Sequence, residues 1–295
     1  MKNKKLAAKI RPYIMTAPAL AGILLFTIYP VIKLIQLSLM NTNMLNPSQS
    51  KFIGLDNYRK VLSRPDFHKS LNNTVVYTIA VVLIITAIAL LLAVWLNEKS
   101  TKLNRLVQAA VFCPHVVSIV SIALIWLWMM EPNFGLFNFL LRKLGLPTSS
   151  WLSGSSTAMP SVILVSVWKA VGYDTLIFMA ALQGVPASLY EAARLDNANK
   201  VVMFFKITLP MISPQLFFTL IIRTIGSFKV FDTVRILTQG GPNNATTTLV
   251  YSIYTEALLN LRIGYSAAIG VILLLIVSIL TIIYFWGFSR KVHYQ

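Results

Sequence analysis

Acidic residues, histidine and cysteine are all scarce in this chain. Its 295 residues include 9 Asp and Glu, 3 His and the single Cys113, which excludes a disulfide framework and a cysteine metal site. No second histidine lies near His115, so we expect no metal site there either. Charged residues make up 12% of the chain and hydrophobic residues 56%, whereas soluble domains are about one quarter charged. The sequence therefore predicts a membrane protein.

Catalytic and phosphate-binding motifs are missing as well. The chain has no Gly-rich phosphate loop ending in Gly-Lys-Ser or Gly-Lys-Thr, no His-Glu-x-x-His, no Gly-x-Ser-x-Gly and no paired carboxylates. We therefore expect neither an enzyme nor a cofactor in this chain. The 26 Lys and Arg do not indicate nucleic acid, because they lie mainly at the ends of apolar runs, where basic residues orient helices in a bilayer.

Six apolar segments are long enough to cross a membrane, for which about 20 residues are needed. They comprise residues 13–38, 73–96, 107–130, 158–183, 207–229 and 263–287. The connections that would lie inside the cell carry a small excess of Lys and Arg, and the basic N-terminal sequence MKNKKLAAKIR decides the orientation. The sequence thus predicts an all-α integral membrane protein with six transmembrane helices and both termini in the cytoplasm.

A charged, helix-forming hairpin, residues 188–210, separates the fourth and fifth spans. Ser188 and Glu191 have the spacing of a capping box, and Asn199 can cap a second helix. The pattern predicts a short helix, a sharp turn and another helix on the cytoplasmic side. Two interpretations remain open from the residues alone. The hairpin is either an interfacial loop with an amphipathic face or a docking element for a cytoplasmic partner.

The same hairpin resembles the EAA motif of the permease subunits of bacterial ABC importers. In that motif E-A-A-x-x-D-G-A is followed, about nine residues later, by I-x-L-P. The matching positions are Glu191, Ala192, Ala193, Asp196, Ala198, Ile207, Leu209 and Pro210. Asn197 replaces the glycine of the motif, and Asn is the next most tolerant residue for a left-handed backbone. We therefore expect the turn to be retained.

Further stretches are similar to the carbohydrate-uptake branch of these importers. They are FIGLDNY (52–58), GLFNFLLRKLGL (135–146), AALQGVPASLYEAA (180–193) and TQGGPNNATTTLVYSIY (238–254). The ending KVHYQ resembles the first permease subunit of glycerol-3-phosphate and multiple-sugar importers. The resemblance thus extends over nearly the whole chain, and it implies one transmembrane permease domain over residues 1–295.

The resemblance implies several partners in a bacterial cytoplasmic membrane. They are a second, similar permease subunit, a pair of cytoplasmic ATPase subunits that hold ATP and Mg²⁺, and an external solute-binding protein. The hairpin would be the coupling helix, with Glu191 meeting basic groups of the ATPase and Ala192 and Ala193 allowing close approach. The loop at Gly240, Gly241, Pro242 and Asn243 would face the binding protein, although a Gly-Pro turn with helix caps is the favoured explanation for its individual side chains.

Three ionisable residues inside predicted spans are candidates for the substrate path, because charge at membrane depth is costly. These are Lys169, Asp174 and Arg223. Lys169 and Asp174 lie five residues apart, about 140° around a helix, so we expect no pairing between them. Arg223 is expected to face the path or to brace a neighbouring span. Nearby aromatic residues could stack on sugar rings, but packing or an interface belt is the stronger explanation for them: Trp168, Tyr173, Phe228 and Phe231.

Alternative functions remain open at this stage. An oligosaccharide is the expected substrate, with glycerol 3-phosphate as the alternative, since Lys169 or Arg223 could meet a phosphate. An ion-coupled secondary transporter would also have many spans, but such proteins commonly have repeated halves, broken helices and coupling carboxylates at mid-depth. Asp174 is the only acidic residue within a predicted span, and no internal repeat is evident.

Overall fold

The computed structural model of the chain describes residues 2–43, 45, 50–97 and 101–288. Lys99 and the ending KVHYQ, which contribute to the predicted orientation and to the resemblance, lie outside these residues. The regular secondary structure of the described part is helical apart from one short strand pair, so the all-α prediction is confirmed in its main point. Strands β1 (Met40–Asn41) and β2 (Lys51–Phe52) pair antiparallel with Met40 opposite Phe52.

The helices follow one another through short connections. In chain order they are α1 (Lys2–Ile23), α2 (Tyr29–Ser38), α3 (Asp56–Ser63), α4 (Pro65–Asn97), α5 (Lys102–Val116), α6 (Ile119–Met129), α7 (Leu136–Lys143), α8 (Ala158–Gln183), α9 (Ala187–Leu195), α10 (Lys200–Met203), α11 (Leu209–Met211), α12 (Ser213–Phe228), α13 (Asp232–Leu237), α14 (Leu249–Tyr254) and α15 (Ile263–Phe288). Wider π-helical turns follow α1, α10 and α14 without a break, at Leu24–Ile28, Phe204–Thr208 and Thr255–Leu259.

Among the described residues, four helices are apolar and long enough to cross a membrane as single elements. They are Tyr13–Ser38, Pro65–Asn97, Ala158–Gln183 and Ile263–Gly287. The third and fifth predicted spans are not continuous helices. Lys102–Val116 meets Ile119–Met129 at a bend of 102°, and Lys200–Met211 meets Ser213–Leu237 at 70°. By length and composition, the described chain therefore holds four helices able to cross a membrane, or up to six if each bent pair is one span.

Proline explains where both helices break. Pro114 lies inside α5, where it cannot donate the hydrogen bond of the helical ladder, and Val117 then turns to an extended backbone (φ −72°, ψ 141°). At the second bend Ile212 leaves the helical region (φ −90°, ψ 3°) between Pro210 and Pro214. The hydropathy of these segments does not reveal the bends, because hydropathy depends on the residue types and not on the direction of the helix axis.

The main packing of residues 65–252 is between α4 and α8. With 33 residues α4 is about 50 Å long, more than the roughly 30 Å of a hydrocarbon core. Its small side chains Ala89 and Ala93 are fully buried against Phe178 and Leu182 of α8, and Ile212 joins the same cluster. Alanines four residues apart let two helix backbones approach closely, as in many membrane bundles.

The chain forms two compact units. One consists of Met1–Arg64 with Ile253–Leu274, and the other of Pro65–Ser252 with Leu275–Gln295. In the first unit the FIGLDNY stretch is fixed to the end of α2. Asn57 Nδ2 donates to the carbonyl oxygens of Ser38 (2.8 Å) and Met40 (2.9 Å), and the Tyr58 and Ser38 hydroxyls lie 2.6 Å apart. The predicted functional residues all belong to the second unit.

Candidate functional site

The charged hairpin consists of α9, a tight turn and α10, which continues through a π turn into α11. Helix α9 starts at Ala187 with Pro186 as its N-cap, so the predicted capping box at Ser188 and Glu191 is wrong. Ser188 already lies within the helix. In a capping box the glutamate side chain accepts a hydrogen bond from the backbone N–H of the N-cap residue. Proline has no backbone N–H, so Pro186 cannot donate that hydrogen bond. Glu191 is exposed to solvent instead.

The turn after α9 is a Schellman motif. The Ala198 N–H donates to the Ala193 carbonyl oxygen (2.9 Å) and the Asn197 N–H to that of Arg194 (3.0 Å). Asn197 adopts the left-handed conformation with φ +55°, at the position where the resembling motif has glycine. Asn199 then caps α10 by accepting from the Val202 N–H at 2.8 Å. The predicted turn and the predicted second cap are therefore both confirmed.

Helix α9 presents its residues outward. It contains no buried residue, and Leu195 at its end is 85% exposed. The hairpin is fixed at its base, where the Tyr190 and Thr208 hydroxyls lie 3.0 Å apart. Leu209 and Pro210, the last residues of the motif, form the short α11 behind this base and are partly buried. Glu191 and Ala192 on this helix, and Asp196 and Asn197 in the turn after it, are therefore exposed and accessible to a partner.

A cavity of about 520 Å³ lies between α4, α5, α6, α8, α12 and the segment that follows α12. Four of the predicted path residues line it together: Lys169, Tyr173, Arg223 and Phe231. Trp168, Asp174 and Phe228 do not. Trp168 packs edge-on against Trp126 with ring centroids 5.5 Å apart, and Phe228 is buried. Asp174 is 1% exposed and reaches the cavity only through its contact with Arg223.

Arg223 of α12 and Asp174 of α8 form an ion pair. Arg223 Nε donates to Asp174 Oδ2 at 3.0 Å, and Nη2 donates to the other carboxylate oxygen, so the contact is bidentate. Their side chains are 23% and 1% exposed. A planar guanidinium fork matched to a carboxylate is the strongest form of such a pair. Arg223 therefore braces a neighbouring helix, as one of its two predicted roles requires.

Lys169 holds the broken end of α5. Its ammonium donates to the carbonyl oxygens of Pro114 (3.4 Å), His115 (3.3 Å) and Val117 (2.8 Å). The last carbonyls of a helix have no intrahelical partner, and a cation there also meets the negative end of the helix dipole. Gly172 permits the close contact of α8 with α5, because a side chain there would collide with the Val111 carbonyl.

Three residues with hydroxyl groups that the sequence analysis did not single out also line the cavity: Tyr77, Ser166 and Ser227. The Tyr77 hydroxyl donates to Ser166 Oγ (2.8 Å), which joins α4 to α8, and Ser227 belongs to α12. The ring of His115 stacks on Tyr173 at 4.6 Å between centroids. Tyr77 lies near the start of the predicted second span, where a tyrosine is common at the membrane interface. Its position in the sequence therefore did not indicate a role in the cavity.

The loop after α13 is held by α4. Lys69 Nζ donates to the Asn243 carbonyl oxygen (2.5 Å), and Asn73 Nδ2 donates to those of Asn244 (2.9 Å) and Thr247 (3.0 Å). Gly240 has φ +80° and is buried, while Gly241 and Pro242 are partly buried and Asn243 is exposed. Of the four loop residues predicted to face a binding protein, Asn243 is thus the one with an exposed side chain.

The comparison with known proteins identifies the family. The family described as "Binding-protein-dependent transport system inner membrane component" matches residues 85–292. The arabinooligosaccharides transport system permease protein of Bacillus subtilis is 35% identical over 277 residues, which cover 93% of this chain and 87% of the relative. The sn-glycerol-3-phosphate transport system permease protein of Pectobacterium atrosepticum is 38% identical over 287 residues, or 96% of each chain.

Solved structures agree with these relatives. A bacterial ABC transporter involved in the import of the acidic polysaccharide alginate matches with a TM-score of 0.86 at 26% identity, over 98% of this chain and 99% of its own. The alginate transporter in complex with an alginate pentasaccharide-bound periplasmic protein matches with a TM-score of 0.84, also at 26% identity, over 97% and 98%. These matches confirm the resemblance to carbohydrate-uptake permeases. The chain belongs to the family of binding-protein-dependent transport system inner membrane components and is a multi-pass ABC importer permease, not an enzyme.

Proposed function

We propose that the chain forms one half of the translocation path of a carbohydrate importer in the bacterial cytoplasmic membrane. Residues 1–295 act as a single transmembrane domain of six spans, with each bent helix pair counted as one span and both termini in the cytoplasm. A second permease subunit supplies the other half of the path. A solute-binding protein delivers the substrate to the outer surface, near the exposed Asn243.

The observation that carries this proposal is the exposed hairpin. A helix of nine residues with no buried side chain gains little from the core of its own chain, yet its C-terminal end is fixed by a Schellman turn that leads into a capped second helix. Such a rigid, outward-facing element is suited to dock in a cleft of a partner. A pair of ATPase subunits, which hold ATP and Mg²⁺, is the partner proposed here, and its closure moves the hairpin as a rigid body.

The cavity beside α8 is the proposed place of substrate contact, and its charges favour a neutral oligosaccharide. The fork of Arg223 is occupied by Asp174, and the ammonium of Lys169 is directed at three carbonyl groups. The remaining charged groups that line it, Lys229 and Asp232, have opposite signs. A phosphate would require an unoccupied bidentate arginine or an equivalent set of donors.

Hydroxyl and aromatic groups remain for the substrate. The rings of Tyr173, His115 and Phe231 line the cavity beside the hydroxyls of Tyr77 and Ser166. Aromatic faces and hydroxyls are suited to the C–H faces and hydroxyl groups of sugars. Relatives that carry arabinooligosaccharides and glycerol 3-phosphate are about equally similar in sequence, so the choice of oligosaccharide rests on this chemistry.

Co-purification tests the coupling role. The tagged chain is extracted from its native membrane in mild detergent, and the proteins that accompany it are identified by mass spectrometry. We expect an ATPase subunit and a second permease, and we expect Glu191→Ala to reduce recovery of the ATPase but not of the second permease. Asp56→Ala is the matched control, because it removes an exposed carboxylate from α3. A chain that purifies alone and moves solute under an ion gradient would instead be a secondary transporter.

Uptake into proteoliposomes tests the substrate class. The assembled importer and its binding protein are supplied with ATP inside and with a labelled arabinooligosaccharide or glycerol 3-phosphate outside. ATP-dependent uptake of the neutral sugar is expected. Uptake of glycerol 3-phosphate alone would refute the assignment of an oligosaccharide while leaving the importer function intact.

A further inference from the structure

A cavity of about 460 Å³ lies within the first compact unit. This volume falls in the range of about 300–1,000 Å³ that is usual for ligand pockets. Its lining residues come from 41–43, from α3 and from the residues around the start of α15. None of them belongs to the hairpin or to the cavity that contains Arg223. The sequence analysis assigned no binding role to them.

Backbone hydrogen bonds fix the frame of this cavity. Asn43 and Arg262 form an antiparallel bridge, and the Gly264 N–H donates to the Thr42 carbonyl oxygen at 3.2 Å. The buried Asn57 joins α3 to the same frame through its two hydrogen bonds to backbone carbonyl oxygens. The three segments that line the cavity are therefore tied to one another, and the cavity is a built feature of the unit.

The charged side chains that line the cavity are all basic. They are Lys60 and Arg64 of α3 and Arg262 before α15. Among the described residues, no carboxylate belongs to the lining. Met44 and residues 46–49, which lie outside the described residues, contain no Asp or Glu in the sequence. The lining therefore attracts an anion.

Glu256 neutralises these cations only in part. One of its carboxylate oxygens lies 3.9 Å from Arg64 Nη1 and the other 3.6 Å from Arg262 Nη1, so two guanidinium groups share one carboxylate. Both distances exceed that of a hydrogen bond, unlike those of the bidentate pair between α8 and α12. The two arginine side chains are 46% and 50% exposed, and Lys60 has no ion pair among the described residues. An excess of two positive charges thus remains.

The cavity lies beside the ends of two candidate spans. Asn41 follows the span Tyr13–Ser38 by three residues, and Arg262 immediately precedes the span Ile263–Gly287. Tyr265 also lines the cavity, and tyrosine is enriched at the membrane–water interface. Since a span ends where the hydrocarbon core gives way to headgroups, the cations are placed at the level of the lipid phosphates.

We propose that this cavity binds the phosphate group of an anionic phospholipid from the adjoining leaflet. The phosphate oxygens accept hydrogen bonds from Lys60, Arg64 and Arg262, which are the charge-assisted contacts that phosphate favours. Leu258 and Leu259, in the π turn just before Arg262, are 53% and 58% exposed and suit the acyl chains. A neutral sugar would leave the excess charge uncompensated, and a free anion would leave these leucines uncovered.

The bound lipid joins the segment after the first span to the start of the last one. Its phosphate bridges α3 and the residue before α15, and it supplies the negative charge that Glu256 alone does not. Occupancy therefore depends on the lipid charge of the membrane. The site requires only that the chain spans a bilayer, so it does not depend on the proposed substrate or on the coupling role of the hairpin.

Native mass spectrometry of the full-length chain, with whatever subunits co-purify, tests the proposal. The protein is purified in mild detergent and titrated with phosphatidylglycerol or, in parallel, with phosphatidylcholine. We expect retained phosphatidylglycerol adducts and no comparable retention of phosphatidylcholine. The double variant Lys60→Gln with Arg64→Gln should bind phosphatidylglycerol about 30-fold more weakly, as expected for two cations near a headgroup. Equal retention of the two lipids by the unaltered chain would overturn the proposal.

Two matched variants identify the cause of any loss. Lys51→Gln with Arg59→Gln removes the same charge from exposed residues of the same unit that do not line the cavity, and should retain the lipid. Lys60→Arg with Arg64→Lys keeps the charge and should retain it too, which separates lost binding from misfolding. Equal weakening in both neutralised variants would overturn the proposal in favour of a diffuse surface charge. Displacement of the lipid by inorganic phosphate would overturn it in favour of a soluble anion.

Discussion

Removing one partner of the ion pair between α8 and α12 should destabilise the protein strongly. Asp174 is 1% exposed, so Arg223→Gln leaves a carboxylate buried without its cation. Breaking a buried pair in this way costs about 3–5 kcal/mol, and a charge at the centre of a membrane helix costs about 3 kcal/mol on insertion scales. We therefore expect a loss of about 3 kcal/mol, which is about a hundredfold in the ratio of folded to unfolded protein.

A double-mutant cycle separates this structural role from a role in transport. The variants are Arg223→Gln, Asp174→Asn and the two combined, because the combined variant removes both charges and leaves none unpaired. The measurements are the unfolding midpoint of the purified protein and ATP-dependent uptake by the assembled importer. We expect both single variants to be less stable than the combined one. If the ion pair only braces the two helices, the combined variant should regain ATP-dependent uptake to the same extent as it regains the unfolding midpoint.

The control for this cycle is the exposed pair on α3. Arg59 Nη1 lies 3.8 Å from Asp56 Oδ1, and their side chains are 87% and 55% exposed. Surface pairs of this kind contribute about 0–1 kcal/mol, so Arg59→Gln should leave the midpoint nearly unchanged. Additive effects of Arg223→Gln and Asp174→Asn would refute the argument, because additivity means that the two side chains do not interact. Unchanged assembly and transport in Arg223→Gln would refute both roles.

Three further predictions concern the broken helix, the hairpin turn and the outer loop. Lys169→Met should raise the rate of maleimide labelling at the single Cys113 several-fold, because the end of α5 loses its cap, whereas Lys169→Arg should not. Asn197→Gly should leave the unfolding midpoint unchanged or slightly higher, and Asn197→Val should cost about 1 kcal/mol, since φ is +55° there; equal midpoints would contradict this. Asn73→Ala should cost about 1 kcal/mol and make the loop 238–248 more sensitive to protease, because two carbonyl groups lose their donor; an unchanged digestion pattern would argue against it.

The hairpin turn and most of the span positions could be predicted because their signals are local. Asn199 caps α10, and the predicted fourth span coincides with α8. Asn197 takes the left-handed conformation because only a few residue types tolerate it, so composition and geometry agree. The predicted start of α9 was wrong because a capping-box pattern at Ser188 and Glu191 lies just after a proline. Pro186 is the N-cap in the structure, so Ser188 lies inside the helix.

The arrangement around α8 could not be predicted because its contacts join distant parts of the chain. Helical periodicity excludes a pair between Lys169 and Asp174, but it does not reveal that Asp174 meets Arg223, 49 residues further on. The partners of Lys169 are backbone carbonyls, which have no residue signature at all. Broken helices were expected of a secondary transporter, yet this permease has two bent helix pairs, so that feature does not separate the two classes.

Helix α8 connects the hairpin mechanically to both bent helix pairs. Only residues 184–186 separate its end from α9, so a displacement of the hairpin acts on α8 almost directly. Lys169 and Asp174 project from it in directions about 140° apart, one onto the end of α5 and the other onto α12. A small rotation of α8 about its axis would therefore pull on both bent helix pairs at once and in different directions. The movements of the two bent helix pairs would thus be coupled through α8 alone.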